Sequence, residues 1–195
     1  MRQLFLDAGH SAKFPGASGI VKEHERNERI AEWFRSYAAN IGWKIVEVPR
    51  TFASDIIGSS NMNLIERIRW INKRCKDGDW VLSIHTNAAS NPSISGITTC
   101  YMGGSDYMRT RAENLSKRLA SDTDMRVFGT GSFDDRNGRF GRIGMVRDTI
   151  PPALLVECGF VGNGGDMAVP VVTIGRSLAE WFEDLNGGWY KDLKI

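Results

Sequence analysis

The stretch LFLDAGH, residues 4–10, is an apolar run that stops at a polar cluster. Three large apolar residues in a row are typical of a buried strand, and the Asp-Ala-Gly-His sequence after them is typical of a loop. The same pattern recurs twice, because residues 80–84 are apolar apart from Ser83 and precede His85, and residues 153–156 are apolar and precede Glu157. Three buried strands are therefore predicted, each ending at a polar side chain.

Segments with helical periodicity separate these strands. Apolar residues recur every three or four positions, which predicts helices, at about 25–41, 64–75, 107–119 and 174–185. Two further strands are predicted at 44–48 and 97–102. Strands alternating with helices predict an α/β fold, in which a mostly parallel, twisted sheet is covered by helices on both faces.

The 195 residues are expected to form a single domain, 1–195, with a short C-terminal tail at 186–195. Residues 50–62 are rich in Ser, Gly and Asn and are predicted to be a loop. Residues 121–142 match no element, so they are predicted to be a flexible or substrate-facing insertion.

Charge and cysteine content exclude several classes of protein. A formal net charge of +2, with 25 basic and 23 acidic residues, gives no argument for nucleic-acid binding. The 3 cysteines are widely spaced and form no CxxC pair. Neither a cysteine-rich zinc site nor a disulfide framework is therefore expected.

The N-terminus lacks the pattern of a secretory signal. Asp7 interrupts the first apolar run, whereas a signal peptide needs an apolar stretch of about 7–15 residues. No stretch approaches the roughly 20 apolar residues of a membrane span. The chain is therefore expected to be synthesised in the cytoplasm without a signal peptide and not to insert into a membrane.

Histidine and glutamate side chains stand at the ends of the three predicted strands. His10, His85 and Glu157 follow them in the chain, and the carboxyl ends of parallel strands meet at one edge of an open α/β sheet. Two histidines and a carboxylate, with the fourth position open, are a common ligand set for catalytic zinc. The pattern therefore indicates a metal site at this edge.

The third ligand is expected in the loop or helix start between the first strand and the first helix. Both carboxylate and imidazole groups bind zinc. Spacing alone does not select among the candidates in this segment, which are Glu23, Glu25, Glu28 and His24.

Each strand-end residue also has a structural interpretation. His10 could cap a strand or a helix, and His85 could be a half-buried histidine with satisfied hydrogen bonds. Glu157 lies between Val156 and Cys158, and a carboxylate at the end of a buried strand is costly unless it is paired or functional. Because no HExxH motif is present, spacing alone leaves both interpretations open.

Several blocks of the sequence carry a family resemblance. They are 6–10; 16–19 with Glu23, Asn27, Ile30 and Ala31; Arg50, Leu64, Arg67 and 71–72; 83–88; 96–97 and Tyr101; 145–153; and 155–163. In this order they resemble the third family of zinc-dependent N-acetylmuramoyl-L-alanine amidases, which includes bacterial cell-wall enzymes and phage endolysins. The resemblance spans most of residues 4–166.

The resemblance implies a peptidoglycan hydrolase that cleaves the amide between N-acetylmuramic acid and the L-alanine of the stem peptide. It implies one Zn²⁺ per chain, held by His10, Glu23 and His85. Glu157 would be the catalytic acid–base, and Asn87 would either contact substrate or satisfy loop backbone. Peptidoglycan would be the partner, and residues 1–195 would be a single catalytic amidase domain.

The resemblance also implies the choice of Glu23 among the candidate carboxylates. The family glutamate precedes a helix whose Asn, Ile and Ala match the residues at 27, 30 and 31. Glu25 and Glu28 break this register and are expected to be solvated, and His24 is expected to face solvent.

Departures from the family pattern are few. Ser11 and Ala12 stand where the family often has two glycines, and Thr86 stands where alanine is common. These changes affect the shape of loops rather than the chemistry. The segment 128–142 is less familiar, so substrate contacts there are not assigned.

Two other functions fit parts of the pattern. One is another zinc peptidase, such as a carboxypeptidase acting on cell-wall peptides. The other is a metal-free peptidoglycan-binding module, which would have no need for all four His and Glu residues. The substrate lies outside the membrane. A chain without a signal peptide is therefore expected to be a bacteriolytic endolysin that reaches the cell wall after release through a holin.

Overall fold

The computed structural model describes residues 1–137 and 142–187. Its strands are β1 Gln3–Ala8, β2 Lys44–Glu47, β3 Trp80–Asn87, β4 Ile97–Tyr101, β5 Val127–Asp134 and β6 Ala153–Phe160. Its helices are α1 Glu23–Tyr37, α2 Ser54–Ile57, α3 Ser60–Asn72, α4 Asp106–Thr123, α5 Gly144–Arg147, α6 Gly164–Ala168 and α7 Val171–Gly187. Short 3₁₀ turns follow α1 and β5.

The strands form one sheet in the order β2-β1-β3-β6-β4-β5. The pairs β1·β2, β1·β3, β3·β6 and β4·β5 are parallel, and only β4 and β6 pair antiparallel among these strands. The prediction of a mostly parallel sheet is confirmed. The reversal between β6 and β4 was not predicted, because the direction of a strand leaves no trace in its own apolar pattern.

Helices cover both faces of the sheet, as predicted. Along a strand, successive side chains point to opposite faces. Leu4 and Leu6 therefore belong to the core that also contains residues of α1, α4 and α7, whereas Phe5 belongs to the core that contains residues of α3 and α5. The buried strands are apolar in continuous runs because both of their faces are covered.

Part of the segment predicted to be an insertion is an edge strand. Residues 127–134 form β5, which pairs with β4 through a register shift between Ile97 and Thr99. Gly129 and Gly131 have φ of 61° and 85°, a conformation that favours glycine and occurs in strand bulges. These glycines interrupt the alternation that would have identified the strand, so the sequence analysis missed β5, and a substrate-facing role of this segment stays a prediction.

Other boundaries also differ from the prediction. The segment 50–62 contains α2 and the start of α3, rather than only a loop. Strands β3 and β6 continue past His85 and Glu157, so these two residues lie within strands and not after them. Residues 138–141 of the predicted insertion, and most of the predicted tail, lie outside the described residues.

Among the helices of residues 1–137 and 142–187, none combines the length and the apolar character needed to cross a membrane.

Candidate metal centre

Three candidate ligands meet at the carboxyl edge of the sheet. His10 follows β1, Glu23 is the first residue of α1, and His85 lies in β3. Their ligand atoms all lie within 4.8 Å of one another. Tertiary structure thus brings together residues that are 13 and 62 positions apart in the sequence, and the structure favours Glu23 over the other carboxylates of its segment.

The carboxylate of Glu23 contacts both imidazoles through the same oxygen. Glu23 Oε1 is 3.2 Å from His10 Nε2 and 3.0 Å from His85 Nδ1. The two imidazole rings cross edge to face, with centroids 4.9 Å apart. Two ring nitrogens and one carboxylate oxygen therefore face a common point.

The other groups around Glu23 keep it ionised and fixed. Its side chain is 7% exposed, and its Oε2 accepts the amide of Ala17 at 2.9 Å. Burial raises the pKa of Glu23, but hydrogen bonds and charge from His10 and His85 outweigh burial and hold that pKa well below the usual range. A buried carboxylate that remains ionised suits the binding of a cation.

Glycine backbone allows these side chains to approach closely. A Cβ atom on Gly9 would lie 2.2 Å from His85 Nε2. A Cβ atom on Gly16 would lie 2.4 Å from Glu23 Oε2, and φ of Gly16 is +71°. Any side chain at either position would therefore collide with a candidate ligand.

This donor set fits a zinc ion. Zinc prefers imidazole nitrogen and carboxylate oxygen at short distance, and a catalytic site keeps one position open. The imidazoles of His10 and His85 are 27% and 17% exposed, so solvent reaches the cluster from one side. The hydrogen bond from the amide of Ala17 to Oε2 of Glu23 is of the kind that orients a ligating carboxylate.

Glu157 lies beside this cluster. It pairs in register with His85 across β3 and β6, and its side chain is half-buried. Its Oε2 is inaccessible and has no hydrogen-bond partner within residues 1–137 and 142–187. Burial, and secondarily the charge of Glu23, raise the pKa of Glu157 well above the usual range.

The remaining residues of the predicted segment lie elsewhere. Glu25 is exposed and bridges Lys22, and Glu28 is partly exposed near Arg50. The expectation that His24 faces solvent was wrong, because His24 is 7% exposed. It is the second residue of α1, and the helix turns it inward.

Asn87 is partly exposed at the end of β3. Its side-chain oxygen accepts the amide of Ala88 at 2.7 Å, and its carbonyl accepts the amide of Val161 at 2.8 Å. Asn87 therefore satisfies loop backbone, and a contact with substrate stays a prediction.

Two buried polar residues near the cluster received no role in the sequence analysis. They are Asn27 of α1 and Arg67 of α3, which are 0% and 3% exposed. The sequence signal that could have identified them is a polar residue among the apolar positions of the inward face of each helix. Arg67, for example, precedes the buried Ile68 and lies four residues before the buried Ile71.

Comparisons with known proteins identify the family of this chain. The family described as N-acetylmuramoyl-L-alanine amidase matches residues 4–171, and the chain belongs to that family. The amidase LytC of Bacillus subtilis is 28% identical over 165 residues, which cover 84% of this chain and 30% of LytC.

Solved structures share the fold. Cwp6 from Clostridium difficile is 26% identical with a TM-score of 0.74, over 94% of this chain and 29% of Cwp6. The catalytic domain of the CD27L endolysin, described as targeting Clostridia difficile, is 21% identical with a TM-score of 0.74, over 95% of this chain and 98% of that domain. The chain thus spans less than a third of LytC and Cwp6, but nearly all of the endolysin domain.

Proposed function

We propose that this chain is a zinc-dependent N-acetylmuramoyl-L-alanine amidase, which hydrolyses the amide between N-acetylmuramic acid and the L-alanine of peptidoglycan. One observation carries the proposal. In a chain of this family, His10, Glu23 and His85 present three ligand atoms within 4.8 Å of one another, and Glu157 lies beside them.

His10, Glu23 and His85 are the proposed ligands of one Zn²⁺. The donor types support this assignment, as do the ionised state of Glu23 and the glycine backbone around the cluster. A bound zinc ion supplies a Lewis acid that polarises a carbonyl and lowers the pKa of water.

Glu157 is the proposed general acid–base. It would take a proton from the attacking water and deliver it to the amine of L-alanine as the amide bond breaks. No hydrogen-bond donor within residues 1–137 and 142–187 occupies its Oε2, so no other proton there competes for that oxygen. Its raised pKa suits both directions of transfer, because a group that is too acidic holds a proton poorly.

The test is the release of amino groups from purified peptidoglycan, with the new N-terminal residue identified. The reaction is run as prepared, with a chelator, and with the chelator followed by added Zn²⁺. We expect L-alanine ends that disappear with the chelator and return with zinc. Walls that bind the protein without new ends would contradict the proposal and favour a binding module.

Two other outcomes would change the proposed reaction. Free D-alanine would identify a carboxypeptidase at the same centre, and chelator-resistant release of L-alanine would remove zinc from the mechanism. Asn87 is tested in the same assay, since Asn87→Ala should raise KM if its side chain contacts the substrate. An unchanged KM would leave Asn87 with its hydrogen bond to Ala88.

A role as an endolysin is part of this proposal. It is supported by the likeness to the CD27L catalytic domain, which the chain covers over 98% of its length. Expression in the bacterial cytoplasm should lyse cells only when a holin opens the membrane. Lysis without a holin would contradict that route to the cell wall.

A further inference from the structure

Three consecutive backbone carbonyls at the end of β1 are held by buried side chains. Arg67 of α3 donates to the carbonyl of Ala8, with Nη1 at 2.8 Å, and to the carbonyl of His10 through Nη2. Asn27 of α1 donates from Nδ2 to the carbonyl of Gly9 at 3.2 Å. Helices from opposite faces of the sheet thus hold the segment that carries His10.

Arg67 is itself fixed by an acidic and an amide side chain. Its Nη1 is 2.5 Å from Asp7 Oδ1, and its Nε donates to Asn63 Oδ1 at 2.8 Å. The side chains of Arg67 and Asp7 are only 4% and 1% exposed. A guanidinium presents its donors in a rigid planar fork. Its contacts with the carbonyls of Ala8 and His10 therefore fix the positions of these two carbonyls relative to each other.

The same network reaches the residue that follows His10. Asn63 donates from Nδ2 to Asp55 Oδ2 at 2.7 Å, and the hydroxyl of Ser11 donates to the other oxygen of Asp55. The loop is therefore anchored on both sides of the proposed ligand.

Asn27 is oriented by Thr86, the neighbour of His85 in β3. The Thr86 hydroxyl donates to Asn27 Oδ1 at 2.9 Å, which leaves Nδ2 of Asn27 to donate to Gly9. Both side chains are 0% exposed.

The backbone at His10 needs such support. His10 has φ of +70°, one of two positive values among the non-glycine residues described. A side chain costs energy in this conformation, which persists only where the surroundings impose it. The carbonyl contacts of Arg67 lie on either side of this strained position.

We propose that Arg67 and Asn27, with Thr86, are positioning residues that impose the backbone of His10 and so preset its imidazole for metal binding. The inference rests on the proposed zinc site and adds the residues that determine its affinity. Removing partners that orient a metal ligand typically weakens metal binding by about 10–100-fold.

The test compares Arg67→Lys with Arg26→Lys. Lysine keeps the charge opposite Asp7 but loses the planar fork. Arg26 is a matched control, since it is 6% exposed and donates to the carbonyls of a different segment, at Asp166, Met167 and Val169. It also lies on α1, only three residues after Glu23. Because both arginines are buried, a general loss of stability would affect both variants.

The readouts are the dissociation constant of Zn²⁺, from competition with a chromophoric chelator, and the visible spectrum of the Co²⁺-loaded protein. Only variants with wild-type circular dichroism are compared. We expect Arg67→Lys to bind Zn²⁺ about 10–100-fold more weakly and to change the Co²⁺ spectrum. Arg26→Lys should match the wild type in both.

Thr86 supplies a second test if Arg67→Lys does not fold. Thr86→Val keeps the shape but removes the hydroxyl, whereas Thr86→Ser keeps the hydroxyl. We expect weaker Zn²⁺ binding in Thr86→Val and recovery in Thr86→Ser.

The failures of the two proposals are distinguishable. A wild-type protein that binds no Zn²⁺ would overturn the metal centre and the positioning role together. If the wild type binds one Zn²⁺, equal affinities in the Arg67 and Arg26 variants, or in the Thr86 variants and the wild type, would overturn the positioning role alone.

Discussion

Glu23 and Glu157 lie at the same edge of one sheet, yet their surroundings shift their pKa values in opposite directions. Glu23 contacts two imidazoles, which lower its pKa, whereas burial raises the pKa of Glu157, which has no such partner within residues 1–137 and 142–187. Pairs of carboxyl groups separated in this way mark different roles. Here they separate a proposed ligand that stays ionised from a proposed acid–base that carries a proton.

The proposed role of Glu157 predicts a separation of metal binding from catalysis. Glu157→Gln should keep one Zn²⁺ per chain while the release of L-alanine falls by about 10²–10⁴-fold, the usual contribution of a general acid–base. His85→Ala should lose both zinc and activity. Metal content and amino-group release measure the two effects, and undiminished cleavage by Glu157→Gln would show that another group moves the proton.

The raised pKa of Glu157 predicts how stability changes with pH in the metal-free protein. The folded state binds this proton more tightly than the unfolded state, so the contribution of Glu157 to stability is full below the ordinary pKa of 4.5 and is lost as pH rises toward the folded value. In a chelator, Glu157→Gln should therefore gain stability relative to the wild type as pH rises above about 4.5.

Urea unfolding of both proteins between pH 4 and 8 measures this difference. Glu25→Gln is the control, because it makes the same substitution at a solvent-exposed glutamate. A constant difference between Glu157→Gln and the wild type across this range would contradict a raised pKa.

At the scale of elements, the proposed metal centre depends on how closely the end of β1 approaches β3. Gly9 donates its amide to the carbonyl of Ile84 at 2.9 Å, and a Cβ on Gly9 would meet the His85 ring at 2.2 Å. A Cβ atom on Gly9 could be accommodated only if the ring of His85, a proposed ligand, moved. The identity of Gly9 is thus determined by a neighbouring strand that lies about 75 residues away in sequence.

Gly9→Ala should therefore displace His85 and abolish high-affinity Zn²⁺ binding, with L-alanine release falling in proportion. Gly164→Ala is the control, since a Cβ on Gly164 would have nothing within 4 Å. Calorimetric titration with Zn²⁺ measures the effect. Wild-type affinity in Gly9→Ala would mean that the ring of His85 is not a ligand.

At the scale of the whole molecule, helix α7 completes the core. The family match ends at residue 171, where α7 begins, yet α7 supplies the fully buried Phe182. The Phe182 ring makes edge contacts with Phe34 of α1 and Trp80 of β3. Helix α1, which begins with Glu23, is therefore held against the sheet partly by α7.

Truncating this contact should destabilise the fold. Phe182→Ala is expected to lower the free energy of unfolding by about 3–5 kcal/mol, because it removes a buried ring and leaves a cavity. Ile57→Ala, at a side chain that is 88% exposed, should change it by less than about 0.5 kcal/mol. Urea denaturation measures both, and similar values for the two variants would contradict the central place of α7.

The sequence by itself determined the α/β class, the buried strands β1, β3 and β6, and the main helices, because hydrophobic periodicity is a local property of the chain. Family resemblance indicated Glu23 among the nearby carboxylates, and the structure places it against His10 and His85. Spacing alone could not select Glu23, since Glu23, Glu25 and Glu28 lie within six positions of one another.

Only the tertiary structure decided the reversal of β4, the bulged edge strand β5 and the burial of His24. It also decided that His85 and Glu157 pair in register and that Arg67 reaches the carbonyl of His10. Each of these features depends on which distant surfaces bury one another. That is a property of the assembled core, and no local window of the sequence contains it.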